Sequence, residues 1–212
     1  MCFRQDRLWW QQWGGAAEYG AHLPLADLGS PSLASLKTYA RAADELGYGY
    51  LCVNDHLLFS RPWLDGPTAL AAVIGESGSM RLATTVSLPV LRGPVLLAKT
   101  LAALDVLSSE RLLVAVGPGS SAQDCAAVGV PFGERWRRFN EAVFALRALL
   151  RGDRDGVDGE FYRTHGVLLE PSPAQPGGPP VWIAKLGLEG LAAHACMLEV
   201  LASVCDRSMR SG

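Results

Sequence analysis

The sequence predicts an α/β protein assembled from successive βα units around a mostly parallel sheet. Two observations carry this. From Glu18 onward, short apolar runs with strand character alternate with longer stretches of helical periodicity, the signature of parallel βα architecture. The chain of 212 residues is also 49% hydrophobic and 19% charged, the composition of a globular protein with a large core. Such alternation fits a doubly wound sheet or a (β/α)₈ barrel, and periodicity does not separate them. In both, ligands sit at the C-terminal ends of the strands.

EYGAHLPL, residues 18–25, reads as the first strand. Ser32 opens a helix whose Leu33, Leu36, Ala40, Ala43 and Leu46 recur three or four apart until Gly47 closes it. YLCVN (50–54) is the second strand and PTALAAVIGE (67–76) the second helix. MRLATTVSLPV (80–90) is the third strand, followed by a helix that Pro94 begins and VLLAKTLAALDVLS continues. RLLVAVG (111–117) is the fourth strand, and GERWRRFNEAVFALRALLRG (133–152) the clearest amphipathic helix. The polar, Gly- and Pro-rich stretch to Pro180 reads as a loop carrying a short hairpin. PVWIA (180–184) is a fifth strand, LEGLAAHACML (188–198) a fifth helix and EVLASV (199–204) a sixth strand, which makes five to six βα units.

Composition narrows the function. A net charge of -2, with no basic stripe interleaved with aromatics, argues against a nucleic-acid partner. Five scattered cysteines without a C-x-x-C pair suggest neither a disulfide framework nor a zinc site, and four dispersed histidines suggest no metal; a cytoplasmic location is expected. No run reaches the roughly 18 apolar residues of a membrane span. Residues 1–17 also lack a signal-peptide core and read as a disordered leader ahead of one domain, 18–212; a Trp-rich helix docking on a partner is the other reading.

Four constellations are candidates for chemistry. In LCVNDHLLF, residues 51–59, Asp55 and His56 stand just past the second strand. An imidazole there can pass a proton near neutral pH and a neighbouring carboxylate can orient it; alternatively Asp55 caps the following turn and His56 is structural. ATTVSLPV, residues 83–90, places Thr84, Thr85 and Ser87 at the end of the third strand, as β-formers or as hydroxyls beside a bulge facing a ring-shaped ligand. In VGPGSSAQD, residues 116–124, Gly117, Pro118, Gly119 and Ser120 form a flexible loop or a plain turn rather than a dinucleotide fingerprint, because they follow the fourth strand and carry a Pro inside the turn. Ala184 and Lys185, with Gly187 and Gly190 beyond, offer an anion site or simply a helix N-terminus.

In combination, YGAHLPL, ADELGYGYLCVNDHLL, RLATTVSLPVLRGPVLLAKTLAALDVLSSERLLVAVGPGSS, GVPFGERWRRFNEAVFALRALLRG and PPVWIA, in this order, resemble the luciferase-like monooxygenase family of flavin- and F420-dependent oxidoreductases. The resemblance implies a (β/α)₈ TIM barrel, coenzyme F420 or alternatively FMN on its C-terminal face, and oxidation, reduction or monooxygenation of a small organic substrate. It implies His56 as acid/base, with Asp55 orienting it and touching substrate or cofactor. Thr85 and Val86 fall where the family carries a bulge with a non-proline cis peptide behind the ring. Gly117, Pro118, Gly119 and Ser120 border the cofactor, and Ala184 and Lys185 begin its phosphate-binding region. Some F420 enzymes carry a Glu as proton donor where this chain has Ser120. A complete barrel takes roughly 250 residues, so the expectation is an incomplete barrel, C-terminally truncated, with an inactive fragment or a self-associating, homodimeric remnant as the alternative function.

Overall fold

The computed structural model describes residues 19–26 and 32–184. Five strands, β1 (Gly20–His22), β2 (Tyr50–Val53), β3 (Arg81–Ser87), β4 (Leu112–Val116) and β5 (Val181–Ile183), form one sheet in which each pairs in parallel with the next, in chain order. This order separates the two architectures that periodicity left open. A doubly wound sheet reverses its strand order at a switch point, whereas an order of 1-2-3-4-5 winds in one direction only, as in the wall of a (β/α)₈ barrel. The expected leader, fifth helix and sixth strand lie outside the described residues.

The helices begin where their sequences specify. Ser32 caps α1 (Leu33–Glu45), accepting from the Ser35 amide at 3.1 Å, while Ser35 Oγ accepts from the Ser32 amide, a reciprocal capping box. Asp65 caps α2 (Gly66–Ala72) by accepting from the Thr68 amide at 3.0 Å. The expected second helix stops after Ala72 and tightens into a 3₁₀ turn at Ile74–Glu76. A single turn, α3 (Pro89–Arg92), precedes α4 (Pro94–Leu107), and α5 (Ala122–Ala127) stands where a loop was expected. In α6 (Arg135–Arg151) the buried Phe139, Ala142, Val143, Leu146, Leu149 and Leu150 repeat at helical spacing and pack on α4. Gly152, at φ +71°, ends it in the left-handed conformation that glycine adopts without strain.

Strand side chains alternate between two faces. Leu51, Val53, Leu82, Leu112, Val114 and Val116 join the helices in the main core, while Cys52, Ala83 and Leu113 form a small second cluster with Tyr50 and Trp182 on the opposite face. The long connection from α6 to β5 carries the expected hairpin in minimal form, one antiparallel bridge between Asp158 and Arg163. It is tied to the helices. The Glu141 carboxylate accepts from the amides of Glu160, Phe161 and Tyr162, and the buried Asp105 carboxylate accepts from the Gln175 amide at 2.8 Å and from Gln175 Nε2 at 2.6 Å.

Candidate functional site

Because all five strands run in parallel, their C-terminal ends share one edge of the sheet. That edge collects His22 from β1, Asp55 and His56 after β2, Thr85 and Val86 in β3, Gly117 after β4 and Ala184 after β5.

The centre of the edge is irregular. Thr85 pairs with Ala115 and Ser87 with Val116, so Val86 is an extra residue, and the Thr85–Val86 peptide is cis. The bulge and the cis bond stand at the residues where the family resemblance places them. Two hydroxyls stitch this stretch. Thr84 Oγ1 donates to the Ala115 carbonyl at 3.0 Å and accepts from the Ala115 amide at 3.1 Å. Thr85 Oγ1 lies 2.7 Å from His22 Nε2 and 3.3 Å from the Val53 carbonyl. Gly117 closes the bulge from behind. Its amide donates to the Ser87 carbonyl at 3.0 Å, and a Cβ on it would stand 2.9 Å from Val86 Cγ2. No real Cβ sits that close, so only glycine allows this approach.

Pro118 and Gly119 are half-buried and Ser120 exposed; Gly119 has φ +81°. Ser121 then caps α5, accepting from the Asp124 amide at 3.0 Å. The Ala184 amide donates to the Val116 carbonyl at 2.9 Å. Lys185 lies outside the described residues.

Asp55 has a different partner from the one expected. The residue is buried, and its carboxylate receives Arg92 Nε and Nη2 at 2.6 Å each and the Leu88 amide at 3.3 Å, and makes no hydrogen bond to His56. Arg92 also donates to Asp65, the cap of α2. A bidentate Arg–carboxylate pair is strong and geometrically specific. Hydrogen bonding to Asp55 holds the Arg92 guanidinium more firmly charged than usual, despite its burial. Burial acts to raise the Asp65 pKa, but hydrogen bonds from Thr68 and Arg92 outweigh it and leave the carboxyl below its usual value. His56 instead packs its ring against Phe59 at 4.7 Å and Trp63 at 5.0 Å, between ring centres. Its loop is held from behind, where the buried Asp124 carboxylate accepts from the Leu58 amide at 3.0 Å. The structure thus brings Val86, Gly117 and Ala184 together beside Thr85, and sets His56, after β2, in an aromatic nest of its own. His22, Arg92 and Asp124 escaped the sequence reading. The S-x-x-D spacing of Ser121 and Asp124 was the one local signal for any of them.

Among the described residues, no group of three or more His, Cys, Asp or Glu is placed to hold a metal, and no helix is long and apolar enough to cross a membrane.

A one-way parallel sheet defines a barrel-type α/β protein, with the C-terminal edge as its candidate site. The sequence profile of the luciferase-like monooxygenase family matches residues 10–204, and the chain belongs to that family. It is 32% identical over 163 residues to the F420-dependent hydroxymycolic acid dehydrogenase of Mycobacterium tuberculosis, covering 72% of this chain and 44% of that protein. An F420-dependent glucose-6-phosphate dehydrogenase of Gordonia bronchialis is 32% identical over 160 residues, covering 70% of this chain and 46% of that protein. The chain therefore spans about half the length of the curated relatives it matches. Among solved structures, the monooxygenase RslO1 of Streptomyces bottropensis matches with a TM-score of 0.73 at 29% identity, over 84% of this chain and 56% of that one. An F420-dependent secondary alcohol dehydrogenase matches with a TM-score of 0.69 at 21% identity, over 82% of this chain and 53% of that one, a likeness of fold.

Proposed function

We propose that this chain forms the cofactor face of an oxidoreductase that uses coenzyme F420 on a small organic substrate. The observation that carries this is the bulge at Thr85–Val86, closed from behind by Gly117, at the C-terminal edge of the sheet. A flat ring needs a fixed, tightly backed surface, and the bulge with its glycine meets that need. Two relatives, each 32% identical to this chain, are F420-dependent dehydrogenases by name.

When bound, the deazaflavin would supply the hydride chemistry. The chain supplies position and proton handling. Thr85 and Val86 support the ring, Gly117, Pro118, Gly119 and Ser120 border its edge, and Ala184 and Lys185 lead toward its phosphate. His56 holds or passes a proton at the substrate, with the aromatic nest of Phe59 and Trp63 fixing its ring in place of a carboxylate. Asp55 acts one step removed: through Arg92 and the Leu88 amide it fixes the segment that follows the bulge.

Titration of the purified protein with F420 and with FMN, followed by fluorescence quenching, tests the reading. Micromolar binding of F420 supports it, and binding of FMN alone shifts it to the flavin branch. Binding of neither overturns it and favours a non-catalytic, self-associating member of the family. A His56→Ala variant that binds and turns over like the parent removes the acid/base role while leaving the cofactor face in place.

A further inference from the structure

His22 is placed by register, not by sequence proximity, against the bulge. It pairs with Cys52, Cys52 pairs with Ala83, and Thr85 follows Ala83 by two residues on the same face of β3. The imidazole thus reaches Thr85 Oγ1 across two strand spacings, at 2.7 Å. Val86 has no register partner in β4, so the backbone ladder alone does not fix the bulge. What remains to fix it from the face turned away from the helices is the Thr85 hydroxyl, held between His22 Nε2 and the more distant Val53 carbonyl. Burial lowers the His22 pKa, which favours the neutral ring, a hydrogen-bonding group rather than a charge.

We propose that His22 is a positioning residue of the site: its Nε2 fixes the Thr85 hydroxyl, and through it the bulge on which the cofactor ring would lie. This rests on the cofactor reading above. Loss of one hydrogen bond between neutral groups weakens an interaction by about three- to tenfold. His22→Ala is therefore expected to weaken F420 binding by that factor, and Thr85→Val to weaken it equally. The double variant binds no worse than either single one, because both remove the same bond. His22→Gln, whose side-chain amide can again reach Thr85, recovers most of the loss, which an effect of cavity or general packing would not do. A second readout needs no ligand. In an imidazole ¹⁵N spectrum of the free protein, Thr85→Val shifts the His22 Nε2 resonance if the bond exists in solution.

A parent protein that binds F420 or FMN while His22→Ala and Thr85→Val bind equally well overturns this role alone. An unchanged His22 resonance in Thr85→Val overturns it as well. A parent that binds neither ligand overturns the cofactor reading and this role with it. If His22→Ala folds poorly, Thr85→Val, which conserves volume, carries the same comparison.

Discussion

Arg92→Met is the perturbation whose outcome the structure fixes most closely. The Asp55 side chain is 5% exposed and that of Arg92 26%, so the pair is largely desolvated. Removing the guanidinium strips two hydrogen bonds from the carboxylate and leaves it only the Leu88 amide at 3.3 Å. Breaking a buried pair from one side costs about 3–5 kcal/mol, and an exposed pair about 0–1 kcal/mol. The partial exposure of Arg92 puts the expectation near the lower end of the buried range, about 3 kcal/mol. With a urea dependence of about 2 kcal/mol per molar, this moves the unfolding midpoint down by roughly 1.5 M. Adding Asp55→Leu to Arg92→Met should restore much of the loss, since an apolar pair replaces an uncompensated buried charge. A single variant within about 0.5 kcal/mol of the parent, or a double variant that merely adds the two losses, would refute the reasoning.

Three further outcomes follow from particular contacts. A Cβ on Gly66 would stand 2.2 Å from the Asn54 carbonyl oxygen, so Gly66→Ala must displace α2 from the end of β2 and lose about 1–3 kcal/mol in urea unfolding. Asp124→Ala deprives the Leu58 amide of its acceptor, and hydrogen exchange of that amide should accelerate by about tenfold or more. Asp65 has a folded-state pKa below its unfolded value of about 3.9. Its contribution is thus complete above about pH 4 and lost as the pH falls through the folded value. Acid unfolding curves of the parent and of Asp65→Asn should therefore differ by a constant amount near neutrality and converge below about pH 4.

The fold was largely written in local chemistry. Ser32, Pro94 and Gly152 each mark a helix end that the structure keeps, because caps and breakers act within a single turn. The short elements escaped. α3 spans four residues and α5 six, too few for a period of 3.6 to show. The site divides in the same way. The bulge at Thr85–Val86 stood within one motif and the resemblance located it. The Asp55–Arg92 pair joins residues 37 apart and His22–Thr85 residues 63 apart, and only the parallel register brings them together. The adjacency of Asp55 and His56 was misleading for a related reason. Sequence neighbours at a strand end diverge, and the carboxylate found a guanidinium across the loop rather than the imidazole beside it.

Glu141 gives the long connection between α6 and β5 a character its composition does not announce. A stretch rich in glycine, proline and charge is ordinarily the first place a protease cuts. Here one carboxylate on a packed helix holds three consecutive amides, at 160–162. A scissile bond must leave that grip before it can enter a protease cleft. Susceptibility at this segment is therefore governed by the opening of the Glu141 hydrogen bonds, and a first nick between residues 159 and 163 would report their release rather than the length of the loop.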